Sequence, residues 1–131
     1  MKYILMMQFN LSDWRTCRME LWPQEDIDTH MAHLMRMNEE IIASGERIDV
    51  QGLATPETAV FVSATADGTP AVSDGPFAEA KEFLAGYMII DVETPQRAHE
   101  IAARWSSGPG PGGTPLNLPV EVRPIMSCNY T

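Results

Sequence analysis

Residues 83–92, Phe83-Leu84-Ala85-Gly86-Tyr87-Met88-Ile89-Ile90-Asp91-Val92, carry apolar side chains at both odd and even positions. Successive side chains of a strand point to opposite faces of its sheet. This run therefore reads as an interior strand needing cover on both faces, with Gly86 as a candidate bulge. Just downstream, Thr94-Pro95 opens a helix through about Ser106 that places Ala98, Ile101, Ala102 and Trp105 on one side. Residues 107–115 (SGPGPGGTP) are dense in breakers and read as a flexible surface loop, and residues 119–126 (PVEVRPIM) as a closing strand.

Upstream, residues 58–64 (TAVFVSA) alternate and are β-branched, the pattern of a strand. Asp67-Gly68 marks a tight turn, Pro70-Ala71-Val72-Ser73 returns as a short partner, and Asp74-Gly75-Pro76-Phe77 forms the next turn. Residues 23–44 read as a helix. Pro23 suits the start, Glu25, Asp26 and Asp28 complement the dipole, and Gly45 supplies the stop. Ile27, Met31, Leu34, Asn38, Ile41 and Ile42 recur at helical spacing, a buried face interrupted only by the polar Asn38. Residues 2–9 (KYILMMQF) form a first strand. Residues 10–22, with Trp14, Cys17, Leu21 and Trp22, are too apolar for a linker and are expected to pack over something.

The order is strand, helix, strand with a hairpin arm, strand, helix, strand. It predicts one α+β domain over residues 1–131: a ferredoxin-like βαββαβ sandwich with an antiparallel sheet and both helices on one face. The runs YILMM, AVFV and YMII are apolar on both sides, so the uncovered sheet face predicts a homodimer packed sheet on sheet, a dimeric α/β barrel.

The totals narrow the function. With 131 residues the chain can bury roughly two thirds of its unfolded surface. Eighteen acidic residues against nine basic ones give a net charge of −9. Such a surface repels nucleic acid and anionic membranes, whose binders need clustered Lys and Arg. The apolar run Tyr3–Met7 is too short for a signal-peptide core or a membrane span, which predicts a cytoplasmic protein. Cys17 and Cys128 form neither a disulfide framework nor a zinc spacing and read as reduced thiols. No phosphate loop, nucleophile elbow or cofactor fingerprint occurs, so no cofactor is expected.

Asp74-Gly75-Pro76-Phe77-Ala78-Glu79-Ala80-Lys81-Glu82 resembles the signature of the DGPF-domain proteins within the wider YCII-related family. Gly86–Val92, Val120-Glu121-Val122-Arg123-Pro124, and the helix ending at Gly45 followed by Gly52-Leu53 are similar to that family's flanking elements. The resemblance covers nearly the whole chain and implies a ferredoxin-like fold and a dimeric α/β barrel. It further implies, for some members, a His–Asp pair acting as general acid and base on small ring compounds. For the DGPF branch it implies an association with sigma factors.

Two chemical readings of the residues stand side by side. Asp74 is either a general base, or orienter of a histidine, or the cap of its own turn. His30 and His33 neighbour each other on the first helix. The helical wheel turns His30 inward, beside Ile27 and Leu34, whereas the Ala32-His33-Leu34 context, by resemblance, favours His33. Either histidine pairs with Asp74 as a catalytic dyad or is a plain helix-edge residue. The two supply too few ligands for a metal site, and His99 reads as solvent-facing. Trp22 and Phe77, with Trp14, are candidates to line a small apolar pocket, and Lys81 and Arg123 to anchor a ligand or form surface ion pairs. Nine methionines point to an adaptable interior. The function expected is a cofactor-free acid/base enzyme acting on a small aromatic or lactone-like molecule. The alternative is a non-catalytic ligand-binding or regulatory module associated with sigma-factor-dependent transcription.

Overall fold

The structure, a computed structural model, describes residues 1–10, 12–13, 18–75 and 82–126. Strand β1 (Lys2–Phe9) leads through a short 3₁₀ turn at Met19–Leu21 to helix α1 (Gln24–Ala43). Strand β2 (Arg47–Gly52) follows, then β3 (Val60–Ala64), β4 (Pro70–Asp74) and β5 (Phe83–Asp91). Helix α2 (Pro95–Ser106) and strand β6 (Val120–Pro124) complete the chain. Four strands form one antiparallel sheet in the order β2-β5-β1-β6, and β3 and β4 form a separate two-stranded hairpin. This is the ferredoxin-like α+β arrangement.

The local signals act as expected at both helices. Pro23 sits at the cap of α1, and Glu25 and Asp26 lie in its first turn. Gly45, at φ 77°, ends it, with the N–H groups of Gly45 and Glu46 donating to the Ile42 and Ile41 carbonyls. At α2 the Thr94 Oγ1 accepts from the Arg97 N–H at 3.2 Å, and Pro95 fills the first turn. Both helices pack on one sheet face. Met37 and Ile41 from α1 and Ala98, Ile101 and Ala102 from α2 meet Tyr3, Leu5, Met88, Ile90 and Val92. Arg97 Nε and Nη2 grip the Glu46 carboxylate, each at 2.8 Å, and tie the start of α2 to the α1–β2 turn. That bond holds the Glu46 carboxyl below the ordinary carboxylate range, against the opposing effect of burial, with Ser44 adding to it.

Three expectations are corrected. The second strand of the sheet is Arg47–Gly52, not residues 58–64. As an edge strand β2 commits only Val50 to the core, so its sequence, RIDVQG, lacks a long apolar signature. The stronger run in β3 pairs with β4 alone, and Val60, Val62 and Val72 stay 55%, 60% and 61% exposed. β-Propensity made both strands, but it does not say which sheet a strand joins.

The buried stripe of α1 is also rotated from the one expected. His30, Met37 and Ile41 are buried, whereas Met31 and Ile42 are exposed. Finally, residues 107–115 are a closely hydrogen-bonded loop, with Gly110 N–H donating to Thr114, Leu116 N–H to Gly108, and Pro109 bridged to Pro115. Gly108 is buried, and a Cβ there would meet His30 Cε1 at 3.3 Å and His33 Cδ2 at 3.5 Å. The glycine admits the two imidazoles; it is a packing residue.

The opposite sheet face carries Ile4, Met6, Tyr87 and Ile89 at its centre, all half-buried, with Asp49, Gln51, Glu121 and Arg123 around them. No helix of the described residues packs there.

A candidate apolar cavity under the first helix

The register of the sheet explains why a hollow forms. Gly52 pairs with Gly86, Gly86 with Met7, and Met7 with Val120, so one row across the sheet has no side chain at two of its four positions. That row faces α1, because Met88, two residues after Gly86, does. A bulge in the β1–β5 pairing lies beside it, at Ala85, between Gly86 and Leu84. A Cβ on Gly86 would sit 2.9 Å from the Gln51 carbonyl oxygen, so the close β2–β5 approach itself requires glycine.

The resulting cavity, about 350 Å³, lies between α1 and the β2–β5 side of the sheet. Such a volume falls in the range of small-molecule sites. Its walls are mainly methionine (Met7, Met19, Met31, Met37 and Met88) together with Phe9, Leu34, Val50 and Trp105. Methionine is unbranched and polarisable, so these walls can adapt to a ligand. His30 and Asn38 bring polar side chains to the described lining from α1, the Gln51 side chain points to the opposite sheet face, and the lining contains no Asp, Glu, Lys or Arg.

His30 is 9% exposed. Its Nδ1 lies 2.9 Å from the Pro109 carbonyl oxygen, which only accepts, so Nδ1 carries the proton and neutral His30 keeps its Nε2 lone pair. Burial pushes the imidazole below its ordinary pKa. The bond to Pro109 works the other way, and the neighbouring charge of His33 adds a smaller downward push. Near neutral pH the side chain is therefore an uncharged base. The Trp22 ring stands edge-on to it, centroids 5.5 Å apart at 87°. His33, half-buried, directs Nε2 at 2.9 Å to the Arg104 carbonyl oxygen near the end of α2. The two histidines thus bind α1 to the end of α2 and to the loop that follows.

Asn38 makes the second polar feature. Its Oδ1 is buried and has no hydrogen-bond partner. It interrupts the apolar face of α1 because it faces the cavity rather than the core.

The other candidates are placed as follows. Asp74 ends β4 on the hairpin, exposed, opposite Val60, with no hydrogen bond or ion pair to His30, His33 or any other described residue. Trp22 is buried against His30 with its Nε1 unpartnered, and it is not part of the cavity lining. Arg123 is exposed and pairs with Glu121 on its own strand. His99 is exposed on α2. Phe77, Lys81, Glu79, Trp14, Cys17 and Cys128 lie outside the described residues. Among the described residues no group of three or more His, Cys, Asp or Glu side chains is placed to hold a metal ion. No helix among them is long and apolar enough to cross a membrane. The glycine pair Gly52 and Gly86 and the polar Asn38 are the sequence signals that mark this site.

Comparison with known proteins agrees with the fold. The YCII-related domain matches residues 1–108. An uncharacterised protein of Rhizobium meliloti (strain 1021) is 31% identical over 104 residues, which span 79% of this chain and 79% of that protein. The chain belongs to the YCII-related family.

Proposed function

We propose that the protein takes up a small, largely apolar molecule in the cavity under α1, and that His30 exchanges a proton with it as a cofactor-free acid/base group. The observation that carries this reading is a buried, uncharged imidazole on the wall of an apolar cavity, with Nδ1 committed to Pro109 and Nε2 left as a base. Asp74, exposed on its hairpin, has no bond to His30 among the described residues, so His30 is the acid/base group on which this reading rests. Ligand binding without turnover is the second reading, and the lack of a hydrogen bond between Asp74 and either histidine among the described residues speaks for it.

Methionine-methyl NMR tests uptake directly, with 4-propylphenol as the first probe. The methyls of Met37 and Met88, which line the cavity, are expected to shift on titration, whereas those of Met6 and Met126, which do not, hold still. Shifts spread evenly over all methionines would sink the reading.

We also infer that the open sheet face joins two copies of the chain. Its apolar centre, Ile4, Met6 and Ile89, ringed by Asp49, Glu121 and Arg123, has the layout of an interface core with a polar rim. Sedimentation is expected to give a dimer of the 14.5 kDa chain, and Met6→Glu to give a monomer that retains its helical circular dichroism. A monomeric wild-type protein at micromolar concentration would refute the interface.

A further inference from the structure

Resting on the dimer reading above, we infer that two symmetry-related ion pairs, Asp49 with the partner's Arg123, fix how the sheets meet: β2 of one copy lies over β6 of the other. The register of the sheet sets these residues out. Asp49 pairs with Ile89, Ile89 with Ile4, and Ile4 with Arg123, so one row crosses the open face from an acid on one outer strand to a base on the other. The next row on this face is Gln51, Tyr87, Met6 and Glu121, and on the far side of the first row Lys2 pairs with Asp91. The Tyr87 hydroxyl donates to Asp49 Oδ2 at 3.1 Å and Gln51 Nε2 to Asp49 Oδ1 at 3.1 Å, which holds the carboxylate on this face. Both donors are neutral, and among the described residues Asp49 has no cation. Arg123 gives one N–H to Glu121 of its own strand, and its guanidinium has further donors to offer a partner.

Two identical sheets packed face to face are related by a two-fold axis lying between them. An axis across the strands sets β2 over the partner's β2. The side chains that β2 brings to this face are Asp49 and Gln51, whereas Arg47 pairs with Ile90 on the helix side, so Asp49 gains no counter-ion there. An axis along the strands, between β1 and β5, sets β2 over the partner's β6 and β5 over the partner's β1. Ile89 then meets the partner's Ile4, and Tyr87 the partner's Met6, which closes the apolar centre. Asp49 faces the partner's Arg123, and Lys2 faces the partner's Asp91. In a chain of net charge −9, the arrangement that sets acid on base at both places is the favoured one, because complementary charge fixes the register of an interface. Sheets pack about 10 Å apart, a gap that an arginine side chain spans.

The test is a charge swap read as the dimer Kd by sedimentation equilibrium. Asp49 and Arg123 stand three strand spacings apart on one sheet, about 14 Å, so they do not pair within a chain. Asp49→Arg and Arg123→Asp are each expected to raise Kd at least about tenfold, since each sets like charges together twice per dimer. The double variant should return to within about threefold of the wild type, because the pair is restored in reverse. An equal mixture of the two single variants should also dimerise, with acid again facing base at both positions. A Kd unchanged by Asp49→Arg overturns this register and leaves the dimer standing. Losses that neither the double variant nor the mixture recovers overturn the pairing and assign both residues a role within their own chain. Circular dichroism checks the fold of each variant. Where a swap does not fold, a double-mutant cycle of Asp49→Asn and Arg123→Gln takes its place, and additive losses in that cycle overturn the pairing. A monomeric wild type overturns the dimer reading itself, and this inference falls with it.

Discussion

Replacing His30 with alanine is expected to lower the free energy of unfolding by about 3 kcal/mol, as the sum of a lost buried ring and an orphaned carbonyl. The ring touches the Trp22 edge and lies against Gly108, so truncation enlarges a cavity that already exists. It also removes the 2.9 Å bond that holds the Pro109 carbonyl. His30→Asn keeps an N–H donor near the position of Nδ1 and should recover part of the loss. Urea unfolding of the three proteins measures this. A cost for alanine under about 1 kcal/mol would place His30 at an ordinary surface site.

Two of these proteins, the wild type and His30→Asn, also report on pH. Because burial lowers the pKa of His30 in the folded protein, the unfolded chain takes up that proton first as pH falls. His30 therefore gives its full contribution above the unfolded value, about 6.5, and loses it progressively as pH drops through the lower folded value. The unfolding midpoint of the wild type should fall more between pH 7.5 and 5 than that of His30→Asn. Parallel curves would show that His30 is not the group responsible.

Gly86→Ala is expected to cost about 2 kcal/mol, because its methyl meets backbone rather than a side chain that can swing away. The Cβ would lie 2.9 Å from the Gln51 carbonyl oxygen, so β2 must move off β5. Gly52→Ala is the matched control, since a Cβ at Gly52 meets nothing within 4 Å. It adds the same methyl to the same row of the sheet and should change stability by less than about 0.5 kcal/mol. Hydrogen exchange should show the Leu53 amide, bonded to the Ala85 carbonyl at 2.9 Å, opening faster in Gly86→Ala alone. Equal behaviour of the two variants would mean that the close approach of β2 does not depend on glycine.

Local signals and tertiary placement separate cleanly in this chain. The span of α1 and its glycine stop, the Thr94-Pro95 start of α2, and the strands β1, β5 and β6 all rest on interactions within a few residues, and each was readable from type and spacing. The identity of the second sheet strand was not. Ile48 and Val50 make a faint pattern beside Val60-Phe61-Val62, yet the faint one enters the sheet and the strong one stays outside. The phase of α1 was read by residue type, which turned Met31 and Ile42 inward. The fold exposes both and buries His30, as the helical wheel indicates, and the buried imidazole is tolerable because the Pro109 carbonyl meets it from 79 residues away.

The site follows the same division. The sequence by itself determined that two histidines share a face of the first helix, that Asn38 breaks an apolar stripe, and that glycines stand at 52, 86 and 108. These are facts of order and spacing, set by helical and strand periodicity. Only the tertiary structure decided that Gly52 and Gly86 lie side by side in one row beneath the helix, which opens the cavity. It also decided that His30 faces the cavity and that Asp74 stands apart on an exposed hairpin. Register and helix phase are chosen by long-range packing and by where distant backbone groups find their partners, and neither is written within any single segment.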